Sequence, residues 1–341
     1  KTHTVELAFG GLGTNPHYPT PLNPWDADAE RAPGGSSAGA GVSLCEGSAL
    51  IALGTDTAGS VRIPAAWTGN VALKTTKGRW STRGIVPLSP TLDTPGVLAR
   101  TVEDLVVAFR ALDPEGGEIR ETLAPSDLRL ARCETLAFDG CSDGVVAAVD
   151  AAQATLARAG ATVTALELPE ARPAWALFKR GGPVSVELYH FLSTELDGWL
   201  ESIDPNVAAR VGDAASMPAV EYLDRLRALR TLAASAAQRL ERVDAVLTPT
   251  VANSPPTLDA VATAEGYARE NVLSLRNTSL ASYLGLSALT LPVGADGAGM
   301  PVGLQLMARP GQEERLLAVA LACEQILGTG REQLGLPPRC R

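Results

Sequence analysis

Short apolar runs alternate along this chain with longer stretches whose apolar residues recur at helical spacing. Leu50-Ile51-Ala52-Leu53-Gly54-Thr55 is a continuous apolar run closed by glycine and polar residues, which predicts a buried strand. Before it, Gly34 to Gly41 holds only small residues, and Val42 to Ser48 remains mostly small, the pattern of a tightly packed helix. Gly10 to Pro33 is dense in Gly, Pro, Asn and Asp and reads as irregular loop. Pro64 stands early in its apolar stretch, a tolerated position for a first helical turn. In the middle, Leu128 to Ala131 predicts a strand, Val145 to Arg158 a helix closed by Gly160, and Ala161 to Leu168 a second strand ended by Pro169. Residues 205–245 read as mainly helical, with Leu223, Leu226 and Leu229 on one face. Asp244 to Leu247, Leu289 to Val293 and Val302 to Met307 read as strands, and Glu313 to Leu327 as a helix. This alternation predicts an α/β fold, a mixed β-sheet core flanked by helices on both faces. Without an internal repeat or a Gly/Ser/Pro-rich linker, residues 1–341 are expected to form a single domain.

Composition narrows the function. The chain has 341 residues, 45% of them hydrophobic, which excludes a disordered polymer. A net charge of −9 and the lack of a basic stripe argue against nucleic acid as a partner. No apolar run reaches the roughly 18 residues of a membrane span, so no membrane partner is expected. Cys45, Cys133, Cys141, Cys323 and Cys340 show no C-x-x-C pair and no histidine at ligand spacing, so neither metal nor cofactor is expected. An odd, scattered cysteine count fits a reducing, cytoplasmic setting. The chain opens Lys1-Thr2-His3-Thr4 without methionine, so the numbering is expected to start inside a longer protein.

Two serine-bearing segments could carry chemistry, Gly34-Gly35-Ser36-Ser37-Ala38-Gly39 and Gly54-Thr55-Asp56-Thr57-Ala58-Gly59-Ser60-Val61-Arg62. A Gly/Ser cluster alone is most often a loop or a close-packed helix start. A phosphate-binding loop would need G-x-x-x-x-G-K-[ST], and no lysine follows these glycines. Gly35-Ser36-Ser37-Ala38-Gly39 matches a nucleophile elbow, but a polar Asp26–Arg31 stretch precedes it where a buried strand is required. The histidine such a site needs could only be His190, whose setting in Leu188-Tyr189-His190-Phe191 reads as packing.

Taken together the two segments resemble the amidase signature family, amide hydrolases built on a Ser–cis-Ser–Lys triad. The resemblance extends through Ile63-Pro64-Ala65-Ala66, Leu73-Lys74-Thr75-Thr76-Lys77-Gly78-Arg79, Leu92-Asp93-Thr94-Pro95-Gly96 and Leu98-Ala99-Arg100-Thr101-Val102-Glu103-Asp104. Phe9-Gly10-Gly11-Leu12-Gly13-Thr14-Asn15 and Gly299-Met300-Pro301-Val302-Gly303-Leu304-Gln305-Leu306 fit the family as well. It is weakest at about 170–240, a stretch expected to line or cover the substrate pocket. There Trp175, Phe178, Tyr189 and Trp199 are candidates for pocket or core alike.

The resemblance implies Ser60 as nucleophile and Ser36, after a cis peptide bond, as the serine bridging to the base. It also implies the backbone N–H groups of Thr57, Ala58, Gly59 and Ser60 as an oxyanion hole, with Asp56, Arg62 and Ser37 in support. The residue types suit the reaction. Amides are poor electrophiles, so hydrolysis is easier in two covalent steps. With no histidine in either motif, a desolvated, neutral lysine would serve as the base. Each oxyanion donor is typically worth about 10²–10³ in rate.

Three positions depart from the family pattern. Ala58 stands where glycine is more usual, and Thr75 where proline is. Lys1, Lys74, Lys77 and Lys179 all lie away from the catalytic lysine's position, upstream of Gly34. The base is therefore expected upstream of Lys1, and residues 1–341 alone are expected to be poor catalysts. The resemblance implies a small-molecule amide as substrate and leaves open a homodimer. Two other readings remain, the A-type subunit of a tRNA-dependent amidotransferase and a non-catalytic amidase relative.

Overall fold

A computed structural model of the chain describes residues 1–114, 116–120, 122–196 and 198–340, with backbone alone at 213. Among the described residues eight strands form one mixed sheet: β1 (Ile51–Asp56), β2 (Val71–Lys74), β3 (Thr94–Ala99), β4 (Arg129–Cys133), β5 (Thr162–Leu166), β6 (Ala245–Pro249), β7 (Ser287–Ala295) and β8 (Pro301–Ala308). Their order is β1-β3-β2-β7-β8-β6-β4-β5. Pairing is antiparallel from β1 across to β6, and parallel for β6–β4 and β4–β5. The helices are α1 (Ala38–Glu46), α2 (Arg62–Thr68), α3 (Val102–Leu112), α4 (Asp143–Arg158), α5 (Ala171–Lys179), α6 (Val184–Glu195), α7 (Pro205–Val211), α8 (Ala219–Arg239), α9 (Ala264–Tyr283), α10 (Glu313–Leu327) and α11 (Gly330–Leu334). None of them is long and apolar enough to cross a membrane.

Period-two side-chain alternation sends the two faces of the sheet into different cores. Leu304 and Leu306 of β8 join α3, α4 and α10 through Leu105, Val149 and Leu317. Met307, next to Leu306 on the opposite face, packs toward α5, α6, α8 and α9 through Leu177, Leu188, Leu229 and Leu280. Burying a leucine fully is worth about 1.5–3 kcal/mol, so these layers hold the sheet that carries the serine segments. Helices lie on both faces, as the alternation predicted.

Several readings need correction. The run at 50–55 forms β1, but β1 is an edge strand. Ile51 and Leu53 share its uncovered face and are 40% and 65% exposed, whereas Ala52 on the other face is buried, and Leu50, 69% exposed, precedes the strand. Leu223 is also exposed, whereas the buried residues of α8 are Arg225, Leu229 and Ala236. Positions three apart fall back by about 60° per step, so Leu223 and Leu229 point about 120° apart, while the i, i+4 pair of Arg225 and Leu229 stays together. His190 sits exposed on α6 rather than packed.

Both oxygens of Glu324, on α10, accept the Val102 N–H at the first turn of α3 (3.0 and 2.9 Å). Burial pushes this carboxyl up to about 7, against the Val102 hydrogen bond and with the Asp104 and Glu103 charges adding to the rise. Between its ordinary 4.5 and about 7, the folded chain keeps a proton that the unfolded chain has lost, so stability falls as pH rises through that window. Glu324→Gln is expected to be more stable than wild type at pH 8, by on the order of 1–3 kcal/mol, with the gap narrowing toward pH 5. Urea unfolding at the two pH values measures it. A gap that does not change with pH would show that this carboxyl is ionised in the fold.

Candidate active site

The first serine segment is held by backbone hydrogen bonds on both sides. Gly34 N–H donates to Leu12 O (3.1 Å) and Gly35 N–H to Gly11 O (2.8 Å). A Cβ on Gly35 would lie 2.7 Å from the Gly13 nitrogen, which explains why only glycine fits this approach. The Gly35–Ser36 peptide bond is cis, as the family resemblance implied. Ser36 O then accepts the Val5 and Ala38 N–H groups (3.0 and 2.9 Å), and α1 begins. Ser37 N–H donates to Ser60 O at 3.1 Å, joining the two serine segments directly. Ser36 and Ser60 are both buried.

The second segment is the turn from β1 into α2, and a buried ion pair organises it. Arg62 donates through Nε to Asp56 Oδ2 (2.9 Å) and through Nη2 to Asp56 Oδ1 (2.8 Å). Both side chains have no solvent exposure. Burial alone would raise the Asp56 pKa. The Arg62 charge and hydrogen bonds, with Lys74, outweigh burial and hold it below the usual value. Arg62 also reaches Thr278 O (2.9 Å), Gln305 Oε1 (2.5 Å) and Ser282 Oγ (3.2 Å). On the other side, Thr57 Oγ1 donates to Asp93 Oδ1 (2.6 Å), and Thr278 Oγ1 to Ala58 O (2.7 Å).

Gly59 has φ +140°, and a Cβ there would overlap the Thr278 hydroxyl, so the turn requires glycine. Its N–H donates to Asp56 Oδ1 at 2.7 Å. That changes the expected oxyanion set: Gly59 N–H is spent on bracing the loop, leaving Thr57, Ala58 and Ser60 as candidate donors. Ala58 is not among the residues with positive φ, so its side chain is tolerated.

Thr57, Ala58 and Ser60 line a cavity of about 670 Å³. Ser36, Ser37, Asp56 and Arg62 do not line it and stand behind the loop. Leu88, Phe178, Val184, Leu275 and Tyr283 make much of its wall apolar. Of the four aromatics named from the sequence, Phe178 lines the cavity, and Trp175 stacks on it with ring centroids 4.9 Å apart. Tyr189 packs at the edge of the core, and Trp199 is 55% exposed. The cavity also carries charged residues that the sequence reading missed: Lys179, Arg180, Arg210, Glu221 and Arg225. No motif marks them, because they come from three different helical segments.

The lysines keep their structural roles. Lys74 is buried and donates to Thr75 O (2.9 Å) and Leu286 O (3.0 Å). Burial, with the Arg62 charge, pulls its pKa down to about 8. Lys77 donates to Asp93 O (2.9 Å), and Lys179 lies exposed beside Trp175.

The family model for amidases matches residues 1–317. A 2-amino-5-chloromuconic acid deaminase of Comamonas testosteroni is 50% identical over 339 residues, 99% of this chain and 73% of that protein. The A-type subunit of the glutamyl-tRNA(Gln) amidotransferase from a Synechococcus strain is 31% identical, over 95% of this chain and 73% of its own. A Kluyveromyces lactis allophanate hydrolase structure superposes with a TM-score of 0.84 at 25% identity, covering 98% of this chain, which spans 56% of that protein. With a family model matched over most of its length and a half-identical relative over nearly all of it, this chain belongs to the amidase family, hydrolases that act on carbon–nitrogen bonds.

Proposed function

We propose that this protein hydrolyses a small-molecule carboxamide to a carboxylate and an amine or ammonia through an acyl-enzyme on Ser60. The observation that carries the reading is the placement of Ser60, with Thr57 and Ala58, at the wall of a 670 Å³ cavity, hydrogen-bonded through its carbonyl to the Ser36–Ser37 segment. In this reading residues 1–341 act as one amidase domain, and 170–240 supplies part of the pocket wall.

Ser60 Oγ attacks the amide carbon, and its proton passes to Ser36 and on to a neutral lysine base. The four lysines of this chain bond to neither serine hydroxyl, so the reading assigns the base outside residues 1–341. The new oxyanion accepts hydrogen bonds from the backbone N–H groups of Thr57, Ala58 and Ser60. Collapse breaks the C–N bond as the relayed proton reaches the departing nitrogen. Water then releases the acid from Ser60 by the same proton path in reverse.

The similarity to a deaminase, well above that to the amidotransferase protein, favours a small molecule over a tRNA-bound substrate. It also favours ammonia as the nitrogen product, including release from an amino-substituted acid. A fluorophosphonate probe tests the nucleophile. Labelling of the whole protein is expected at Ser60 and is expected to vanish in Ser60→Ala. Labelling that shifts to Ser37, or survives the substitution, would sink the assignment.

A further inference from the structure

The chain carries a net charge of −9, yet the cavity at Ser60 is lined by four cationic side chains against one carboxylate. That carboxylate is already used. Glu221 Oε1 accepts from Arg225 Nη2 (2.5 Å), and Arg225 Nη1 donates to Arg180 O and Gly182 O (2.7 and 2.8 Å). Arg225 is thus locked into the wall with its charge paired. Lys179 and Arg180 are exposed and well solvated.

Arg210, at the C-terminal end of α7, differs from all three. It is partly buried and stacks over the Phe9 ring, its guanidinium carbon 3.8 Å from the ring centroid. Its Nε donates to Asn206 O (3.2 Å) and its Nη2 to Phe9 O, both backbone carbonyls. Among the described residues no carboxylate forms an ion pair with it, and its Nη1 donates to no acceptor. Asp204 and Tyr267 are the acidic groups among them near enough to act on its charge, and neither bonds to it. A half-buried cation with no ion-pair partner among the described residues is costly, and a carboxylate ligand offsets that cost. The planar fork of an arginine held over an aromatic ring suits one carboxylate at a fixed distance from the reacting carbon.

We propose that Arg210 determines specificity in this cavity by pairing with a carboxylate carried by the substrate, so that the enzyme acts on anionic acids bearing a hydrolysable C–N bond. This rests on the proposed function for the site at Ser60, and it adds the residue and the charge that select the substrate. The apolar walls then read the carbon skeleton between the two ends.

Two readouts on the whole protein separate this proposal from the reaction assigned to Ser60. Titration calorimetry with succinate, which has no amide to cleave, reports on the anion site alone. Wild type is expected to bind succinate at least about tenfold more tightly than butyramide. Arg210→Gln is expected to weaken succinate about 10–100-fold, with Arg210→Lys between the two. Arg158→Gln, on α4 across the sheet from the cavity, is expected to change binding less than about threefold. Kinetics on succinamate and butyramide give the second readout, with the preference for succinamate lost in Arg210→Gln because kcat/KM falls far more on succinamate than on butyramide. Because Arg210 also ties down Phe9 O, a purely structural role predicts equal losses on both amides, and that result overturns the proposal. So does wild-type protein that binds butyramide as well as succinate. Arg210-dependent succinate binding without amide turnover would uphold the anion site and reject the Ser60 reading.

Discussion

Replacing Ser60 with alanine is expected to cut amide turnover by about 10⁴-fold or more, with thermal unfolding within a degree or two of wild type. The substitution removes one hydroxyl and no packing volume. The loop is held by other groups: Asp56 and Arg62 from below, Thr278 at Ala58 O, and Asp93 at the Thr57 hydroxyl. Residual rate would come from the N–H donors and from substrate positioning. Ser36→Ala is expected to cost less, about 10²–10⁴, because it interrupts a proton path and not the bond-forming atom. A Ser60→Ala protein that keeps a tenth of the wild-type rate would put the nucleophile elsewhere.

Arg62→Met should have the largest effect on stability, a loss of about 3–5 kcal/mol. The ion pair with Asp56 is wholly buried, and removing the guanidinium leaves a carboxylate with only the Gly59 and Val61 N–H groups. Thr278 O and Gln305 Oε1 lose a donor at the same time. In wild type the depressed Asp56 pKa means that its stabilising effect is present above the unfolded value and lost as pH falls through the folded one. Without Arg62 burial dominates and that pKa rises above its ordinary value. The deficit of the variant should therefore be greatest at neutral pH and shrink near pH 4, where Asp56 can take a proton. The double variant Asp56→Asn/Arg62→Met should lose less than Arg62→Met alone, since no bare charge remains. Chemical denaturation of the three proteins at pH 4 and 7 checks all of this; a double variant no more stable than the single one would show that the carboxylate is not the source of the loss.

Activity and stability meet in the same turn. Asp56 holds Gly59 through its N–H and Arg62 through its guanidinium, so the turn that presents Ser60 is built from a charge pair. In the sequence both residues were marked only by the family resemblance, as supports of the loop. The commitment of the Gly59 N–H to Asp56 had no sequence signal. An N–H group looks like an oxyanion donor in a motif until its acceptor is seen.

Helix α9 shows where periodicity fails. Asn271, Ser274, Asn277, Thr278 and Ser282 are buried on it, and no apolar stripe announces the helix. Those polar residues face other polar groups. Asn271 accepts the Gly11 N–H, Asn277 donates to Ala137 O and Pro249 O, and Ser282 accepts from Arg62. A hydrophobic pattern reports burial against an apolar core, and this helix is buried against the site. Helix α8 misled for a related reason, since its buried face includes an arginine whose charge is met by Glu221 and two carbonyls.

By itself the sequence determined the layered α/β fold, the helices α4 and α10 and strands β4, β6 and β8, because each is a local period that needs no partner to be read. It also marked the two serine segments through the family resemblance, although the close approaches that require their glycines come from distant residues, Gly13 at Gly35 and Thr278 at Gly59. Only the tertiary structure decided that β1 lies at an edge, that Gly59 N–H turns to Asp56, and that Arg210 and Arg225 reach the cavity of Ser60. Those outcomes depend on which distant segment supplies the acceptor, the covering layer or the counterion. The free energy of a buried polar group is set by that partner and not by its own neighbours in sequence.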